Sequence, residues 1–264
     1  MSYFRIIMPN YNNSPWLEKS IGSVLEQTFD DYAFIFVDDM STDDSREKAS
    51  RLLENRQDCT IIHNTKKSWN GGSRNAGLDD FCNAKYTLFL DSDDWFASPT
   101  ILQDLHDFIE DEGRPDCIRL PYAFVAGVTE ATPVMLNDDN ADKLCNSIFV
   151  ACWTKCVKSD LIAPFPENTL MEDVVQHIHQ CDKIGYDVAV FDKPVVIYNR
   201  NNINSCSIKQ NQNLQNGKWQ SSMFRYMADL LDLELTHDYC KRQRDWRADI
   251  CLENIKKGEY TQSV

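Results

Sequence analysis

The sequence predicts an α/β fold in which helices cover both faces of a mostly parallel sheet. Short, unbroken apolar runs alternate with segments of helical spacing along the first half of the chain. Such runs are typical of parallel strands buried on both faces, and the short loops between them favour crossover helices. Two of the runs end directly in neighbouring carboxylates, which places acidic groups at the carboxyl edge of the sheet, where open α/β sheets bind ligands.

The first half of the chain alternates strands with helices. Strands are predicted at residues 4–8, 32–37, 59–63 and 86–90. Ser14-Pro15 and Ser98-Pro99 each predict a helix start, because serine caps a helix and proline suits its first position. A further helix ends near Leu53, and another begins at the glycine-rich residues 70–77, where the backbone could approach a ligand closely.

The second half of the chain is less regular. Strands are predicted at 116–125 and 188–198, with a polar loop at 128–142 between them. A helix is predicted from residue 172 to about residue 184. Apolar residues at helical spacing between 223 and 231, and again between about 239 and 255, predict a helical tail.

Length and composition limit the class of protein. A chain of 264 residues is long enough for one large α/β domain with a helical appendage. It contains no run of eighteen apolar residues, so we expect no transmembrane helix. The first residues enter a strand directly and lack the shape of a signal peptide. Ten cysteines without Cys-x-x-Cys spacing favour free thiols, and we expect a cytoplasmic location.

The net charge of −14 argues against nucleic-acid binding through a broad basic surface. We therefore expect nucleic acid as a partner only in the role of an acceptor that the protein modifies. Residues 200–264 are mildly basic, with 10 Lys and Arg against 8 Asp and Glu. This tail could face an anionic acceptor or make a peripheral membrane contact, or it could simply be solvated.

The acidic stretch that follows the fourth strand suggests a metal site. Asp91 and Asp93 are two residues apart, so they project to the same side of an extended segment. Two such carboxylates repel each other unless a cation lies between them, and Mg²⁺ or Mn²⁺ prefers oxygen ligands of this kind. The alternative is an acidic turn ahead of the helix that starts at Ser98-Pro99.

Two common nucleotide-binding motifs are absent from the sequence. No Gly-x-Gly-x-x-Gly follows the first strand, which disfavours a dinucleotide fold, and no Gly-x-x-x-x-Gly-Lys-[Ser/Thr] is present, which disfavours a P-loop enzyme. The alternation of strands and helices still predicts a nucleotide-binding α/β domain.

Four ordered segments carry a family resemblance. They are MPNYN at 8–12, VDDMSTD at 37–43, GSRNAG at 72–77 and LDSDD at 90–94. Together they resemble the family 2 glycosyltransferases, which are inverting enzymes of the GT-A fold that use nucleotide-sugar donors. The resemblance implies a GT-A domain at 1–208, with a nucleotide-sugar-binding half at 1–115 and an acceptor half at 116–208. A C-terminal helical extension at 209–264 lies outside it.

The resemblance also implies roles for individual residues of the donor half. Tyr11 would lie against the nucleoside, and Asp39 would accept a hydrogen bond from a uracil ring. Arg74 would sit near the base and the diphosphate, where a guanidinium can bind carbonyl or phosphate oxygens. Asp93, with Asp91, would bind Mn²⁺ or Mg²⁺ through the DxD motif, and Asp91 would also lie near the ribose and donor sugar. The implied donor-binding set is Pro9, Tyr11, Asp38, Asp39, Arg74, Asp91, Ser92 and Arg200.

In the acceptor half, the resemblance implies a catalytic base and an acceptor-side segment. Asp173 would take the proton of the acceptor hydroxyl, with Glu172 as the runner-up, although an acidic first helical turn would look the same. Trp153 and Lys155 would line the acceptor side. The tryptophan offers either a flat face for a sugar or a core side chain, and the lysine either approaches phosphate or is solvated.

The segment at 198–207 resembles a flexible flap near the diphosphate. Many relatives carry a histidine here that completes the metal shell, whereas this sequence has asparagines, so the third protein ligand is undetermined. Arg200 could stabilise the charge of the leaving group in its place.

The predicted function is therefore transfer of a sugar from a UDP-sugar to an acceptor hydroxyl with inversion. The expected acceptor is a cell-surface glycan. The alternatives are glycosylation of hydroxymethylated bases in phage-type DNA and a sugar-phosphate nucleotidyltransferase. The second alternative lacks the basic, glycine-rich phosphate loop that it would need after the first strand.

Overall fold

The structure is a computed structural model of the chain. It describes residues 1–80, 83–127, 130–134, 150–167, 169, 171–184, 188–205 and 219–257. The strands are β1 Ser2–Asn10, β2 Tyr32–Asp38, β3 Cys59–His63, β4 Ala84–Phe89, β5 Trp95–Phe96, β6 Cys117–Arg119, β7 Tyr122–Val125, β8 Thr132–Val134, β9 Lys155–Lys158, β10 Val188–Val190 and β11 Val196–Asn199. The helices are α1 Ser14–Leu25, α2 Ser45–Leu52, α3 Trp69–Leu78, α4 Ile101–Asp111, α5 Glu172–Ile184, α6 Trp219–Leu231 and α7 Asp238–Lys257.

The main sheet has the strand order β10-β6-β9-β4-β1-β2-β3. Strands β4, β1, β2 and β3 run parallel, and β9 runs antiparallel to both β4 and β6. The four strands predicted in the first half are therefore confirmed. The side chains of β1, β2 and β4 are almost all buried on both faces, whereas those of β3 are half-buried or exposed, so the core of the molecule forms around β1, β2 and β4.

Two strands that we predicted as continuous are each divided in two. Residues 116–125 form β6 and β7, and residues 188–198 form β10 and β11, with the members of each pair in different sheets. Pro121 and Pro194 lie in the two breaks. Proline has no N–H to donate to a ladder, so each run changes sheet near its proline. Strands β5, β11, β7 and β8 form the second sheet.

The polar loop predicted at 128–142 contains β8, and its residues 128–129 and 135–142 lie outside the described residues. The helical tail is confirmed by α6 and α7, which pack on α5 through a second apolar cluster. Asp182 of α5 holds this tail, because its carboxylate accepts hydrogen bonds from the backbone N–H groups of Thr236 and His237 at 2.7–3.0 Å.

None of the described helices is both long enough and apolar enough to span a membrane.

Candidate active site

The loops after β1, β2 and β4 meet at one edge of the main sheet. Asn10 at the end of β1 is in register with Asp38 at the end of β2, and its side-chain amide donates to the Asp38 carboxylate at 3.1 Å. Pro9 lies beside Val37 in the same pair of strands. The parallel arrangement thus brings together the loop segments that the sequence marked as donor-binding.

Asp38 anchors the loop that follows β2. Its buried carboxylate accepts from Arg46 Nε at 2.6 Å and from the backbone N–H of Ser41 at 3.1 Å. Burial alone would raise the pKa of Asp38, but the hydrogen bonds from Ser41, Arg46 and Asn10 outweigh it and hold that pKa below its usual range. This geometry favours an anchoring role, and direct donor contact stays a prediction.

Asp39 joins the loop after β2 to the start of α3. Its carboxylate accepts from the backbone N–H groups of Ser68 at 2.8 Å and Trp69 at 2.9 Å, and it pairs with Lys67 Nζ at 2.9 Å. Burial opposes ionisation, but the bonds from Asn64 and Lys67 lead those that lower the pKa of Asp39. The carboxylate is therefore charged and fixed in position.

Three exposed side chains with large apolar parts lie near Asp39. Tyr11 is 44% exposed, with Lys67 Nζ 2.8 Å from its ring centroid, and Met40 and Trp69 are 41% and 48% exposed. Sequence reasoning identified Tyr11 but missed the other two. The signal for them was their position, directly after Asp39 and directly before the glycine-rich segment.

Arg74 lies between carboxylates from two distant parts of the chain. Its Nη2 donates to Asp91 Oδ1 at 2.8 Å and its Nη1 to Glu172 Oε1 at 2.7 Å, and the side chain is buried. We predicted this guanidinium near the base and diphosphate of a donor. In the structure it bridges from the loop after β4 to the first turn of α5, and the donor contact stays a prediction.

The glycines near Arg74 allow α3 to pack closely against protein. A Cβ on Gly71 would lie 2.2 Å from the Pro166 carbonyl oxygen, and one on Gly77 would lie 2.6 Å from Ile7 Cγ2. These two positions therefore need glycine for packing, and our expectation of close approach to a ligand does not explain them.

The acidic loop after β4 is held from three directions. Ser92 is buried, and its hydroxyl accepts from Asn13 Nδ2 at 2.8 Å. Asp94 points inward and accepts from the backbone N–H of Asn199 at 2.8 Å. Asp93 accepts from Asn202 Nδ2 at 2.7 Å. This loop is therefore built into both sheets and is more than an acidic turn ahead of a helix.

Asp91 and Asp93 supply the oxygen ligands that Mg²⁺ or Mn²⁺ prefers. Burial, followed by the charge of Asp91, raises the pKa of Asp93 to about 6, so a cation would relieve an existing repulsion. Among the described residues, no group of three or more His, Cys, Asp and Glu side chains is placed to hold a metal. The two carboxylates thus fit a cation that takes its other ligands from substrate or from uncharged groups.

Glu172 and Asp173 form the first turn of α5. Met171, just before them, has a φ of 63°, a left-handed conformation that is uncommon for a residue with a side chain. Burial raises the pKa of Glu172 to about 7, opposed by Arg74 and assisted by Asp173. Burial likewise raises the pKa of Asp173, opposed by Arg74 and Lys155. Both carboxyls therefore titrate above their ordinary range.

The acceptor-side residues are both buried. Trp153 is 8% exposed, and its indole stacks on Tyr198 with the ring centroids 5.5 Å apart, which supports the core alternative. Lys155 is buried, so the solvated alternative is wrong for it, and an approach to phosphate stays a prediction. Its Nζ donates to the carbonyl oxygens of Val150 and Ala151 at 3.0 Å, and burial lowers its pKa.

Cys152 was not identified from the sequence. Its buried thiol lies close enough to Arg74, Asp91, Asp173 and Lys155 for their charges to act on it. Cys152 directly precedes Trp153 of the predicted acceptor-side segment, and this position was the available signal.

Arg200 follows β11 on the side of the second sheet. Its guanidinium carbon lies 3.9 Å from the ring centroid of Phe124, and the side chain is exposed. The predicted contact with a leaving group stays a prediction.

The fold and this edge of the sheet define a class, the GT-A glycosyltransferases, and the comparisons with known proteins agree. The model of the family described as "Glycosyl transferase family 2" matches residues 5–152, more than half of the chain. The chain belongs to glycosyl transferase family 2.

Among individual relatives, the chain is similar to the poly(ribitol-phosphate) beta-N-acetylglucosaminyltransferase TarP of Staphylococcus aureus (strain N315). Identity is 33% over 159 residues, covering 57% of this chain and 47% of TarP. It is also similar to the UDP-Glc:alpha-D-GlcNAc-diphosphoundecaprenol beta-1,3-glucosyltransferase WfgD of Escherichia coli, with 34% identity over 99 residues, 37% of this chain and 38% of WfgD. The matches thus span less than half the length of either relative.

Solved structures share the fold at low sequence identity. S. aureus TarS 1-349 in complex with UDP superposes with a TM-score of 0.66 at 20% identity, covering 96% of this chain and 71% of that one. The mannosyltransferase PcManGT from Pyrobaculum calidifontis, in complex with GDP-Man and Mn²⁺, gives 0.60 at 14% identity, covering 98% and 76%.

Proposed function

We propose that this chain is an inverting glycosyltransferase that moves a sugar from a UDP-sugar to an acceptor hydroxyl with the help of a divalent metal. The observation that carries the proposal is the Arg74 bridge. It links Asp91, from the predicted donor half, to Glu172, from the predicted acceptor half, and its charge also acts on Asp173. A transferase needs donor groups and an acceptor base within reach of one reacting centre.

The donor would be bound at the edge formed by the loops after β1 and β2. Asp39 is charged and fixed there, and the exposed ring of Tyr11 lies beside it, held by Lys67. A nucleobase could stack on that ring and donate an N–H to the carboxylate. The names of WfgD and of TarS in complex with UDP-GlcNAc specify uridine nucleotides, which supports UDP as the nucleotide.

Asp93 and Asp91 would hold Mn²⁺ or Mg²⁺ against the donor diphosphate. When bound, the cation supplies positive charge that stabilises the departing nucleoside diphosphate. The protein's own part is to present the carboxylates, which it does by fixing Ser92 to Asn13 and Asp94 to Asn199.

Asp173 is the residue that we assign as the base. Glu172 is already engaged by Arg74 at 2.7 Å, so its carboxylate is a positioning group for that guanidinium. The Asp173 carboxylate has the backbone N–H of Val174 as its nearest hydrogen-bond donor, at 3.0 Å. A raised pKa makes it a better proton acceptor, because a more basic carboxylate takes the proton of a hydroxyl more readily.

The acceptor would be a phosphate-bearing cell-surface glycan. The name of TarP specifies poly(ribitol-phosphate), and the name of WfgD specifies a sugar linked to diphosphoundecaprenol. Both names contain a phosphate-bearing acceptor, and we extend that class of acceptor to this chain.

The test is release of UDP from a panel of UDP-sugars by the purified chain with Mn²⁺. Activity should vanish with chelator and return with Mn²⁺. Asp93→Ala should abolish turnover without lowering the melting temperature greatly, since the side chain lies in a loop and not in the apolar core. The control is Asp30→Ala, which removes an exposed carboxylate just before the start of β2, at the end of that strand opposite to the site. This variant should keep wild-type activity. Full activity in chelator would contradict the metal assignment.

A further inference from the structure

The hydroxyl of Tyr226 on α6 is buried close to the residue that we assign as the base. Tyr226 has no exposed surface, and its ring belongs to the second apolar cluster together with Val174 and Val175, which directly follow Asp173. The hydroxyl lies near enough to Asp173 for the charge of that carboxylate to act on it. The C-terminal helices therefore bring a phenol to the first turn of α5.

The Tyr226 hydroxyl has no hydrogen-bond partner of good geometry among the described residues. Nε of Arg247 on α7, a side chain that is 3% exposed, is unpaired among them in the same way, and the charge of its guanidinium acts on the phenol. Burial raises the pKa of Tyr226 against the opposing charge of Arg247, so the hydroxyl keeps its proton at neutral pH and remains a donor. Because a buried donor without an acceptor costs free energy, this hydroxyl points to an acceptor that it meets in another state of the protein.

A hydrogen bond between two distant segments holds α6 beside the base. The buried hydroxyl of Thr169 donates to the carboxylate of Asp229. Thr169 lies four residues before Asp173, and Asp229 lies three residues after Tyr226. The bond therefore holds the turn of α6 that carries Tyr226 against the segment that leads into Asp173.

The groups around this pair leave Asp173 as an acceptor that the hydroxyl can use. The charged and titratable groups that face the pair are Glu172 on α5, Arg74 on α3, Asp91 after β4, Cys152 and Lys155 at β9, and Arg247 and Cys251 on α7. Glu172 and Asp91 are already bonded to Arg74, whereas Asp173 accepts from the backbone N–H of Val174 through Oδ1 at 3.0 Å. The second oxygen of Asp173 accepts no hydrogen bond from the described residues, so it is open to a new donor.

We propose that Tyr226 is a positioning residue for the base, and that its hydroxyl donates a hydrogen bond to the Asp173 carboxylate while Arg247 supports the phenol. Such bonds are often long in a protein without substrate and tighten when the reactants are bound. A hydrogen bond of this kind favours the charged form of a carboxylate, so it opposes the effect of burial and keeps Asp173 able to accept a proton. The inference rests on the proposed role of Asp173, and it adds a residue of the C-terminal helices to the site.

The test compares Tyr226→Phe with wild type by two measurements on the full chain. In a ¹³C NMR titration, with the Asp173 carboxyl signal assigned through Asp173→Asn, the pKa of Asp173 should rise in Tyr226→Phe because the charged form loses a donor. In assays of UDP release, the acid limb of kcat should move to higher pH by about one unit, within the scale of a hydrogen bond to a charged group. The melting temperature should change little, since the substitution keeps the ring and removes an unpaired hydroxyl.

Tyr86→Phe is the matched control, because it removes another buried tyrosine hydroxyl, which donates to the carbonyl oxygen of Pro115 at 2.9 Å. This variant should leave both the pKa of Asp173 and the kcat profile unchanged. If Tyr226→Phe likewise leaves both unchanged, its hydroxyl is only a core group and the proposal is overturned. If the chain releases no UDP from any UDP-sugar, the proposed function fails, and the NMR titration alone decides whether Tyr226 acts on Asp173.

Arg247→Gln tests the support for the phenol. It should raise the pKa of Asp173 when Tyr226 is present and raise it much less in the Tyr226→Phe background, because Arg247 acts through the hydroxyl. Equal shifts in the two backgrounds would overturn the role of Arg247.

Discussion

The buried guanidinium of Arg74 sits among more negative than positive groups. Asp91 and Glu172 contact it directly, Asp173 lies near, and Lys155 is the other cation close to Asp173. Three carboxyls share two cations, so the environment favours keeping a proton on one of them. Burial is the main cause of the raised pKa values of Glu172 and Asp173, and the neighbouring carboxylates add to it.

Replacing Asp173 by Asn should separate chemistry from donor binding. The change keeps the size of the side chain and removes the proton acceptor. We expect kcat to fall about 10²- to 10⁴-fold with little change in UDP-sugar affinity. Steady-state kinetics and UDP calorimetry check the two parts. A near wild-type rate in Asp173→Asn, together with loss of activity in Glu172→Gln, would move the base to Glu172.

Loss of the proton from Glu172 should lower the free energy of unfolding as the pH rises. Its pKa in the folded state is about 7, above the ordinary value of 4.5, so the folded state holds a proton that the unfolded state has released. This stabilising contribution is complete below the unfolded pKa and is lost as the pH rises through 7. It amounts to about 3 kcal/mol, from 1.36 kcal/mol per pKa unit.

Denaturant titrations at pH 5 and pH 8 check this expectation. The free energy of unfolding should fall between these two pH values by less in Glu172→Gln than in wild type. The control is Glu26→Gln, a change at the exposed carboxylate that directly follows α1, and it should behave like wild type. Equal falls in Glu172→Gln and wild type would show that Glu172 does not titrate in this range.

At the level of elements, α5 connects the site to the C-terminal helices. Its first turn carries Glu172 and Asp173, and Asp182 near its end binds the backbone that leads into α7. Burial opposes ionisation of Asp182, but hydrogen bonds from Thr236 and His237 outweigh it and lower its pKa. The contribution of Asp182 to stability is therefore lost as the pH falls through that lowered value.

Asp182→Asn should loosen the attachment of α7 without touching the site. The amide nitrogen would face backbone donors, so we expect a loss of about 1.5–3 kcal/mol, the range for hydrogen bonds to a charged group. Thermal unfolding near pH 7 measures this loss, and Asp238→Asn, at a largely exposed carboxylate on α7 itself, is the control. Equal melting temperatures for the Asp182 and Asp238 variants would argue against the anchoring role.

The elements differ in how well the sequence predicted them. Strands β1 to β4 were predictable because each is an apolar run bounded by polar loops. The breaks at Pro121 and Pro194 carried a local signal, the missing N–H, but that signal does not say that the chain changes sheets there. Which sheet a short strand joins depends on partners far along the chain.

At the scale of the whole molecule, the sequence predicted which residues lie at the site's edge better than what those residues contact. Parallel strands bring their carboxyl ends together, so the motifs around Asp39 and Asp91 had to be neighbours. The contacts of Arg74 with Glu172, and of Asp93 with Asn202, join residues 98 and 109 positions apart. No local pattern specifies such pairs, since they depend on how the two halves pack.

The distance between Arg74 and Glu172 along the chain also matters while the protein is being made. At typical ribosomal speeds the 98 residues that separate them take about 5 to 20 s to synthesise. During that interval the guanidinium has Asp91 as its partner but not Glu172. The edge of β4 likewise stays open until β9 emerges to cover it. The nascent amino-terminal half therefore exposes an open strand edge of the kind that chaperones protect. The main sheet is finished only once translation has passed α5.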